Sequence, residues 1–302
     1  MQIWAVGGGK GGTGKSLVAN GLGLRLAEQG ARVILVDADF GGANQHIYCG
    51  IRHPQSHLGR FFEDKLTLEE IALDTRMPGL RLIPGNINSA NTDGLNNAQK
   101  LKFFRHLRKL DADHVILDLG AGTEYDTLDS FLLADIKVAV ITPDPLALEN
   151  FYLFVKNLQF RQLSGILSQV RMRDPARDLW KRRAELGIAT VLDLAAQVGE
   201  LSPEFAELFA RERPTLFLHL VLNEVREFRQ VDMGAAARSA VVKFFQVPAE
   251  FAGFIHHDKD LWHQFGQGGQ HVLKGASFAM THDLESILDG IRKAQARRSG
   301  RP

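Results

Sequence analysis

Residues 9–16 read GKGGTGKS and match the pattern G-x-x-x-x-G-K-[S/T] at every fixed position. A short apolar run, residues 3–6, precedes them, and a helical pattern over residues 16–29 follows. In such a strand–loop–helix unit the glycines let backbone N–H groups turn toward a phosphate, and the N-terminal end of the helix attracts its negative charge. The segment therefore predicts an α/β fold built around a phosphate-binding loop.

The same loop defines a candidate nucleotide site. Lys15 is expected to reach the β- and γ-phosphate oxygens, and the hydroxyl of Ser16 is expected to bind Mg²⁺. The predicted ligand is therefore ATP or ADP with Mg²⁺. The alternative is a glycine-rich turn that binds nothing, and the predicted strand and helix on either side disfavour it. The residues predicted to contact the nucleotide here are Gly9, Gly11, Gly12, Thr13, Gly14, Lys15, Ser16 and Leu17.

The composition fits a globular protein without a strong charge bias. Of the 302 residues, 45% are apolar and 24% are charged, and the formal net charge is +1. Bulk charge therefore gives no reason to expect nucleic acid or an anionic membrane as a partner. Cys49 is the single cysteine, which excludes an intrachain disulfide. Neither a signal peptide nor an apolar run of about 18 residues is present, so we expect a cytoplasmic protein, at most peripheral at the inner face of the membrane.

Short apolar runs alternate with helical patterns along the chain, as in a sheet whose strands are joined by crossover helices. Most of the runs are apolar at nearly every position, which is typical of strands covered on both faces. We predict a doubly wound, mainly parallel sheet of about seven strands with helices on both faces. The runs are residues 3–6, 32–36, 80–83, 114–119, 137–141, 217–222 and 252–255.

One long stretch interrupts this alternation. From about residue 165 to 215 there is no strong strand signal, and the stretch is longer than an ordinary connection. It contains a charge-dense segment, residues 171–186, which we interpret as a solvated helix face, with a surface for a partner or DNA as the alternative. Residues 202–204 read Ser-Pro-Glu, a composition typical of a helix start. We predict a single P-loop domain over residues 1–302 with a helical insertion here.

The C-terminal segment, residues 282–302, predicts a helix followed by a basic tail. Leu284, Ile287, Leu288 and Ile291 recur on one face of this helix. A basic amphipathic helix of this kind could lie on a membrane surface. The apolar face is short and has no aromatic residue, so we favour a helix that packs on the core of its own domain.

Three acidic residues follow apolar runs and are candidates for the chemistry of the site. Asp118 ends the run that begins at His114, where it could hold a water of the Mg²⁺ shell, although a lone acid at a strand end often caps a helix or turn. Asp37 and Asp39 follow the run at 32–36. A carboxylate there could sense the γ-phosphate and orient the attacking water.

These motifs together resemble the MinD/ParA family of ATPases, whose phosphate loop carries an additional lysine, here Lys10. The resemblance implies that Lys10 reaches across a nucleotide-sandwich dimer to the phosphates of the other chain. It also implies that residues 37–44 are the first switch, in which Asp39 helps to activate water and Asp37 supports the magnesium shell. The candidate catalytic residues are then Lys10, Lys15 and Asp39, and the candidate metal ligands are Ser16, Asp37 and Asp118.

Other segments carry the same resemblance. Residues 118–122 resemble the second switch of the family, and residues 142–145 resemble its Thr-Pro-Glu-Pro segment. Asn44 ends the first switch and is a candidate nucleotide contact. The resemblance further implies that Asn223 reads the adenine and that Asp258 lies in a loop near the base.

The match covers about residues 1–160 and 216–290. Within the family, Gly85 with the asparagine-rich stretch Asn86–Asn97, together with residues 118–122, looks most like the flagellar-number regulators FlhG and YlxH. The chain departs from the family pattern in three places. His256 stands where the family has proline, the helical insertion is not typical of MinD, and the C-terminal segment lacks the strongly apolar membrane helix of MinD.

The resemblance implies a Mg-ATP-dependent switch that dimerises with ATP, hydrolyses it slowly, and controls the position or number of a structure such as flagella or the division site. The implied partners are a second copy of the chain and an activating or cargo protein. The first alternative is a partition ATPase of the ParA type that binds nonspecific DNA with ATP. The second is a tyrosine autokinase, which is disfavoured because the chain has three tyrosines and no tyrosine-rich tail. An iron–sulfur ATPase is disfavoured because it needs two cysteines per chain.

Overall fold

The computed structural model describes residues 1–39, 41–64, 66–85, 97–265 and 271–300. Most of the asparagine-rich stretch after Gly85, and Phe40 of the first switch, lie outside the described residues. The strands are β1 (Gln2–Gly7), β2 (Val33–Ala38), β3 (Leu73–Asp74), β4 (Leu80–Ile83), β5 (His114–Leu119), β6 (Ile136–Ile141), β7 (Leu218–Val225) and β8 (Ala249–His256). The α-helices are α1 (Lys15–Glu28), α2 (Gln45–Tyr48), α3 (Gly59–Glu63), α4 (Leu68–Ile71), α5 (Asn97–Leu107), α6 (Tyr125–Leu133), α7 (Pro145–Gln169), α8 (Arg173–Lys181), α9 (Val191–Leu201), α10 (Pro203–Glu212), α11 (Val231–Ala240), α12 (Leu261–Gln264) and α13 (Phe278–Arg298).

Within the described residues the strands form one eight-stranded sheet in the order β3-β4-β2-β5-β1-β6-β7-β8. The described neighbours pair in parallel, except that β3 is antiparallel to β4. The predicted doubly wound, mainly parallel fold is confirmed. The strand that the sequence did not predict is β3, whose two residues are too few to give a periodic signal.

The register of the central strands places acidic side chains beside the phosphate loop. Asp37 near the end of β2 is the direct partner of Asp118 near the end of β5. On its other side Asp118 is level with Val6 of β1, the strand that leads into the loop. Because the carboxyl ends of parallel strands meet at one edge of the sheet, the loop and both carboxylates come together there.

Helices cover both faces of the sheet and form two separate apolar cores. One core contains Phe103 of α5, Phe131 of α6 and Phe154 of α7, all buried. The other contains Leu22 of α1 and Ile287 of α13, which are also buried. Strands β2 and β6 are buried at every position, which explains why their sequences are nearly continuous apolar runs.

Helices α8, α9 and α10 form a third core away from the sheet. Val198 of α9 and Phe205 of α10 are completely buried, and they cluster with Leu163 and Ile166 in the C-terminal half of α7. α7 is 25 residues long, and its C-terminal half is the surface on which the following helices pack. The assignment of one domain with an insertion at about 165–215 stays a prediction.

The apolar face of the C-terminal helix α13 is covered by the protein itself. Leu284, Ile287, Leu288 and Ile291 are each no more than 1% exposed, and they belong to the core shared with α1 and β8. In the described part of the chain, no helix combines the length and the apolar character needed to cross a bilayer.

Two helical glycines provide a test of how α13 packs on β8. A Cβ atom on Gly290 of α13 would lie 2.4 Å from the carbonyl oxygen of Ala252, whereas a Cβ on Gly165 of α7 would meet nothing within 4 Å. Alanine favours a helix over glycine by roughly 1 kcal/mol. We expect Gly165→Ala to raise the free energy of unfolding by about 0.5–1 kcal/mol and Gly290→Ala to lower it by about 1–3 kcal/mol.

Urea denaturation of the two variants beside the unchanged protein measures both effects. Gly165→Ala is the matched control, because it makes the same substitution in a helix that has room for it. Stabilisation of equal size by both substitutions would contradict the close approach of α13 to β8.

Candidate nucleotide site

The loop between β1 and α1 is held so closely by neighbouring segments that two of its glycines admit no side chain. A Cβ on Gly9 would lie 2.0 Å from the carbonyl oxygen of Asn150 at the start of α7. Gly14 has φ of 84°, and a Cβ there would lie 2.0 Å from the amide nitrogen of Asn223. The glycine-rich pattern is thus required by packing against α7 and β7 as well as by access for a phosphate.

Lys15 at the start of α1 is folded into the loop. It is 7% exposed, and its Nζ donates to the carbonyl oxygen of Lys10 at 3.2 Å. Burial lowers the pKa of Lys15, while the nearby charges of Asp118 and Asp39 raise it. The ammonium group is therefore placed among acceptors inside the loop, where a phosphate could replace the carbonyl as its partner.

Asp37 and Asp118 form a buried pair of carboxylates behind the loop. They are 0% and 1% exposed. Burial raises the pKa of Asp37 to about 8, and the charge of Asp118 adds to the effect. Burial also raises the pKa of Asp118 to about 6, against the hydrogen bond from Gln45 and the charge of Lys15. Two anions this close and this buried need a cation or a proton to be stable.

The donor set of this pair fits a magnesium ion. Among the described residues, Asp118 Oδ1 is buried and has no hydrogen-bond partner, although Oδ2 has one. Carboxylates with the Ser16 hydroxyl are the oxygen ligands that Mg²⁺ prefers, usually with waters and phosphate oxygens completing the shell. Among the described residues, no group of three or more His, Cys, Asp or Glu is arranged so that it could hold a metal ion.

Asp39 lies in front of this pair, at the edge of the cavity. Its Oδ1 accepts hydrogen bonds from the backbone N–H groups of Gly41 and Gly42, at 3.1 and 3.0 Å. Asp39 lines the cavity that the loop forms, whereas Asp37 is completely buried and is not among the lining residues. Asp37 and Asp39 therefore have different surroundings, and of the two only Asp39 lines the cavity.

Lys10 is directed away from the cavity. Its Nζ forms an ion pair with Asp144 Oδ1 at 3.1 Å, and its side chain is 36% exposed. Asp144 also accepts hydrogen bonds from the Thr142 hydroxyl and from the backbone of Ala147, so it caps the start of α7. The two lysines of the loop are thus separated, with Lys15 inside and Lys10 at the surface.

The candidate nucleotide cavity has a volume of about 280 Å³. Most of the predicted site residues line it, whereas five of them are not among its described lining residues: Gly9, Lys10, Thr13, Asp37 and Asp118. The lining residues that the sequence predicted are Gly11, Gly12, Gly14, Lys15, Ser16, Leu17, Asp39, Asn44, Asn223 and Asp258. Those that it did not predict are Tyr48, Ala121, Glu224, His256, His257, Leu261, Phe265 and Met280.

Asn223 and Asp258 line the cavity but already have structural partners. The Asn223 amide nitrogen donates to the carbonyl oxygen of Thr13 at 2.9 Å and so ties β7 to the phosphate loop. Asp258 accepts from the backbone N–H groups of Asp260 and Ser277. Their predicted contacts with the base stay predictions, and each side chain also holds the wall of the cavity.

His256 occupies the position at which the sequence departs from its family pattern. Its Nδ1 lies 2.8 Å from Asp283 Oδ2, and its backbone N–H donates to the same oxygen. The ring also packs edge-on against Phe254, with centroids 5.1 Å apart. This wall of the cavity is therefore fixed from α13.

Comparison with known proteins places the chain among related ATPases. A family model described as an AAA domain matches residues 1–168, more than half of the chain. The flagellum site-determining protein YlxH of Helicobacter pylori is 32% identical over 154 residues, which are 50% of this chain and 52% of YlxH. The antiactivator FleN of Pseudomonas aeruginosa is 32% identical over 162 residues, 52% of this chain and 56% of FleN. The chain thus matches about half the length of these two relatives.

The septum site-determining protein MinD of Synechocystis is 27% identical over 197 residues, 65% of this chain and 73% of that protein. Among solved structures, MinD of Pyrococcus horikoshii complexed with Mg-ADP superposes with a TM-score of 0.64 at 16% identity, covering 97% of each chain. The MinC:MinD complex of Aquifex aeolicus gives 0.62 at 17% identity, covering 98% of this chain and 96% of the other. At these identities the structural likeness establishes the fold.

The buried acid pair predicts an unusual pH dependence of stability without Mg²⁺. The unfolded chain releases the Asp37 proton near pH 3.8, whereas the folded chain keeps it up to about pH 8. Because the folded state then binds more protons, stability is expected to fall as the pH rises through this window. Asp37→Asn cannot be ionised and so avoids this loss, and at pH 8 we expect the variant to be more stable than the unchanged protein by at least about 1.4 kcal/mol, the equivalent of one pKa unit.

Urea denaturation in EDTA at several pH values between 4 and 8 measures this difference. Asp178→Asn, at an exposed position of α8, is the matched control and is expected to leave the profile unchanged. An Asp37→Asn profile parallel to that of the unchanged protein would show that the carboxylate is not held in a charged, desolvated pair.

Proposed function

The chain belongs to the MinD/ParA family of P-loop ATPases, and on that premise we propose that it is a Mg-ATP-dependent switch that dimerises with ATP and hydrolyses it slowly. The observation that carries the proposal is the separation of the two loop lysines. Lys15 is buried among the groups that would hold the phosphates, while the side chain of Lys10 is 36% exposed and is paired with Asp144 outside the cavity. A lysine in that position is available to the phosphates of a second chain.

In the proposed site, different residues of this chain bind the phosphates, hold the metal ion and orient the attacking water. The loop amides and Lys15 bind the phosphates, and Ser16 with Asp37 and Asp118 would hold Mg²⁺. When bound, that ion supplies positive charge that neutralises the phosphate oxygens. Asp39 would accept a hydrogen bond from the attacking water and orient it, since its carboxylate is fixed by the N–H groups of Gly41 and Gly42.

We propose that the output of the switch is the number or placement of flagella, with an activating or cargo protein as partner. The support is the identity to two flagellar proteins, YlxH and FleN, at 32% each. The MinD relatives make placement of the division site the alternative. The DNA alternative has less support, because Arg177, Lys181 and Arg182 in the charge-dense segment are each paired with an acid of the same segment.

Lys10→Ala tests the dimer switch. We expect the variant to stay monomeric with Mg²⁺ and a non-hydrolysable ATP analogue, because the only loop lysine directed out of the cavity is lost. Binding of ADP to the monomer is expected to change by less than about threefold, since an exposed ion pair is worth at most about 1 kcal/mol. Light scattering coupled to size-exclusion chromatography measures the first effect and fluorescent ADP titration the second.

Lys109→Ala, which removes an exposed lysine of the same chain, is the matched control and is expected to dimerise normally. Asp39→Asn is expected to bind ATP and accumulate as the dimer, because its water-orienting carboxylate is lost while Lys10 remains. Normal dimerisation of the Lys10→Ala variant with the ATP analogue would refute the proposed switch.

Deletion of the chain from its own host tests the proposed output. We expect a changed number or position of flagella, counted by electron microscopy, and restoration by the unchanged gene but not by Lys10→Ala. The division septa, measured in the same cells, are the internal control. Normal flagella with displaced septa would assign the output to division instead.

A further inference from the structure

Gln45 connects parts of the site that are far apart in the sequence. It is the first residue of α2, directly after the first switch, and it is completely buried. Its Nε2 donates to Asp118 Oδ2 and to the carbonyl oxygen of Ser16, both at 2.8 Å. Its backbone N–H donates to Asp37 Oδ2 at 3.0 Å. One residue thus bonds both buried acids and the phosphate loop.

The orientation of the Gln45 amide follows from its partners. A backbone carbonyl and a carboxylate can only accept hydrogen bonds, so the NH₂ group must face Ser16 and Asp118. The amide oxygen then faces α1, where it accepts from Asn20 Nδ2 at 3.0 Å. Both hydrogens of the NH₂ group are used, and the side chain is anchored at its other end by α1.

These bonds leave the two oxygens of Asp118 in different situations. Oδ2 is held by Gln45, whereas Oδ1 is buried without a described hydrogen-bond partner. The carboxylate is therefore oriented by the amide, with one oxygen left for a ligand that is not part of the protein. Groups that orient a metal-binding carboxylate in this way contribute to metal affinity without contacting the metal.

We propose that Gln45 is a positioning residue that couples the first switch to the magnesium site. It orients Asp118 and fixes the Ser16 backbone while its own position is set by the segment 41–44 that precedes α2. A displacement of the first switch then moves Gln45 and releases Asp118 and the Ser16 carbonyl together. This inference rests on the proposed Mg-nucleotide site and adds a residue that links the switch to the metal.

The chemistry of the position explains why an amide is needed there. An apolar side chain of the same size would fill the space but leave the Ser16 carbonyl and Asp118 without their donor. A glutamate would add a third carboxylate beside two that are already buried together. Glutamine meets both requirements, since it is long enough to reach both acceptors from α2 and its NH₂ group has one hydrogen for each of them.

Gln45→Met tests the inference, because methionine has nearly the same length and volume and no hydrogen-bond donor. The probe is a fluorescent ADP analogue, titrated in EDTA and at stepped Mg²⁺ concentrations. We expect the Mg²⁺ concentration that gives half of the metal-dependent gain in affinity to rise about tenfold or more. Affinity in EDTA is expected to stay within about twofold, since the phosphate-binding amides and Lys15 are untouched.

Gln55→Met, at an exposed position, is the matched control and should leave both values unchanged. Gln45→Asn keeps an amide but is one methylene too short, so it should show the same rise in the Mg²⁺ requirement. This variant replaces Gln45→Met in the test if the methionine variant does not fold. A parallel fall of both affinities, or no change in the Mg²⁺ requirement, would overturn the positioning role. Absence of nucleotide binding by the unchanged protein would instead refute the proposed function itself.

Discussion

The side-by-side burial of Asp37 and Asp118 is the constraint on which the rest of the site depends. The parallel register of β2 and β5 makes the two residues direct partners, and both are almost completely excluded from solvent. Such a pair is unfavourable unless a cation or donors compensate it. Lys15, the Gln45 amide and the Ser16 hydroxyl lie beside Asp118 and supply the positive charge and the donors that compensate its burial.

The sequence predicts those structural features that depend only on residues close together in the chain. Continuous apolar runs predict the buried strands, and the glycine–lysine pattern predicts the loop, because each depends on local chemistry. Asp118 and Asp39 are found because each follows such a run. Gln45 and Tyr48 could not be found in this way, since their importance comes from contacts with residues that the topology brings from elsewhere. Strand β3 is missed because its two residues pair only through the fold.

In the insertion at about 165–215, the helices could be predicted from the sequence but their packing could not. Its helices could be predicted from caps such as Ser202, whose hydroxyl accepts from the backbone of Phe205. What could not be predicted is that they pack on an extension of α7 and form a core of their own. Asp144, which caps the start of α7, is paired with Lys10, so one continuous helix joins this outer core to the phosphate loop.

The ion pair between Lys10 and Asp144 can be broken at little cost in free energy. Both side chains are more than a third exposed, so the pair contributes at most about 1 kcal/mol. When Lys10 leaves, Asp144 keeps the hydrogen bonds from Thr142 and from the backbone of Ala147, so no buried acceptor loses its partner. Lys15 has no such freedom, because it is buried and bonded inside the loop. The loop therefore combines one lysine fixed by burial with one held only weakly at the surface, which is the asymmetry that the proposed sharing of Lys10 between two chains requires.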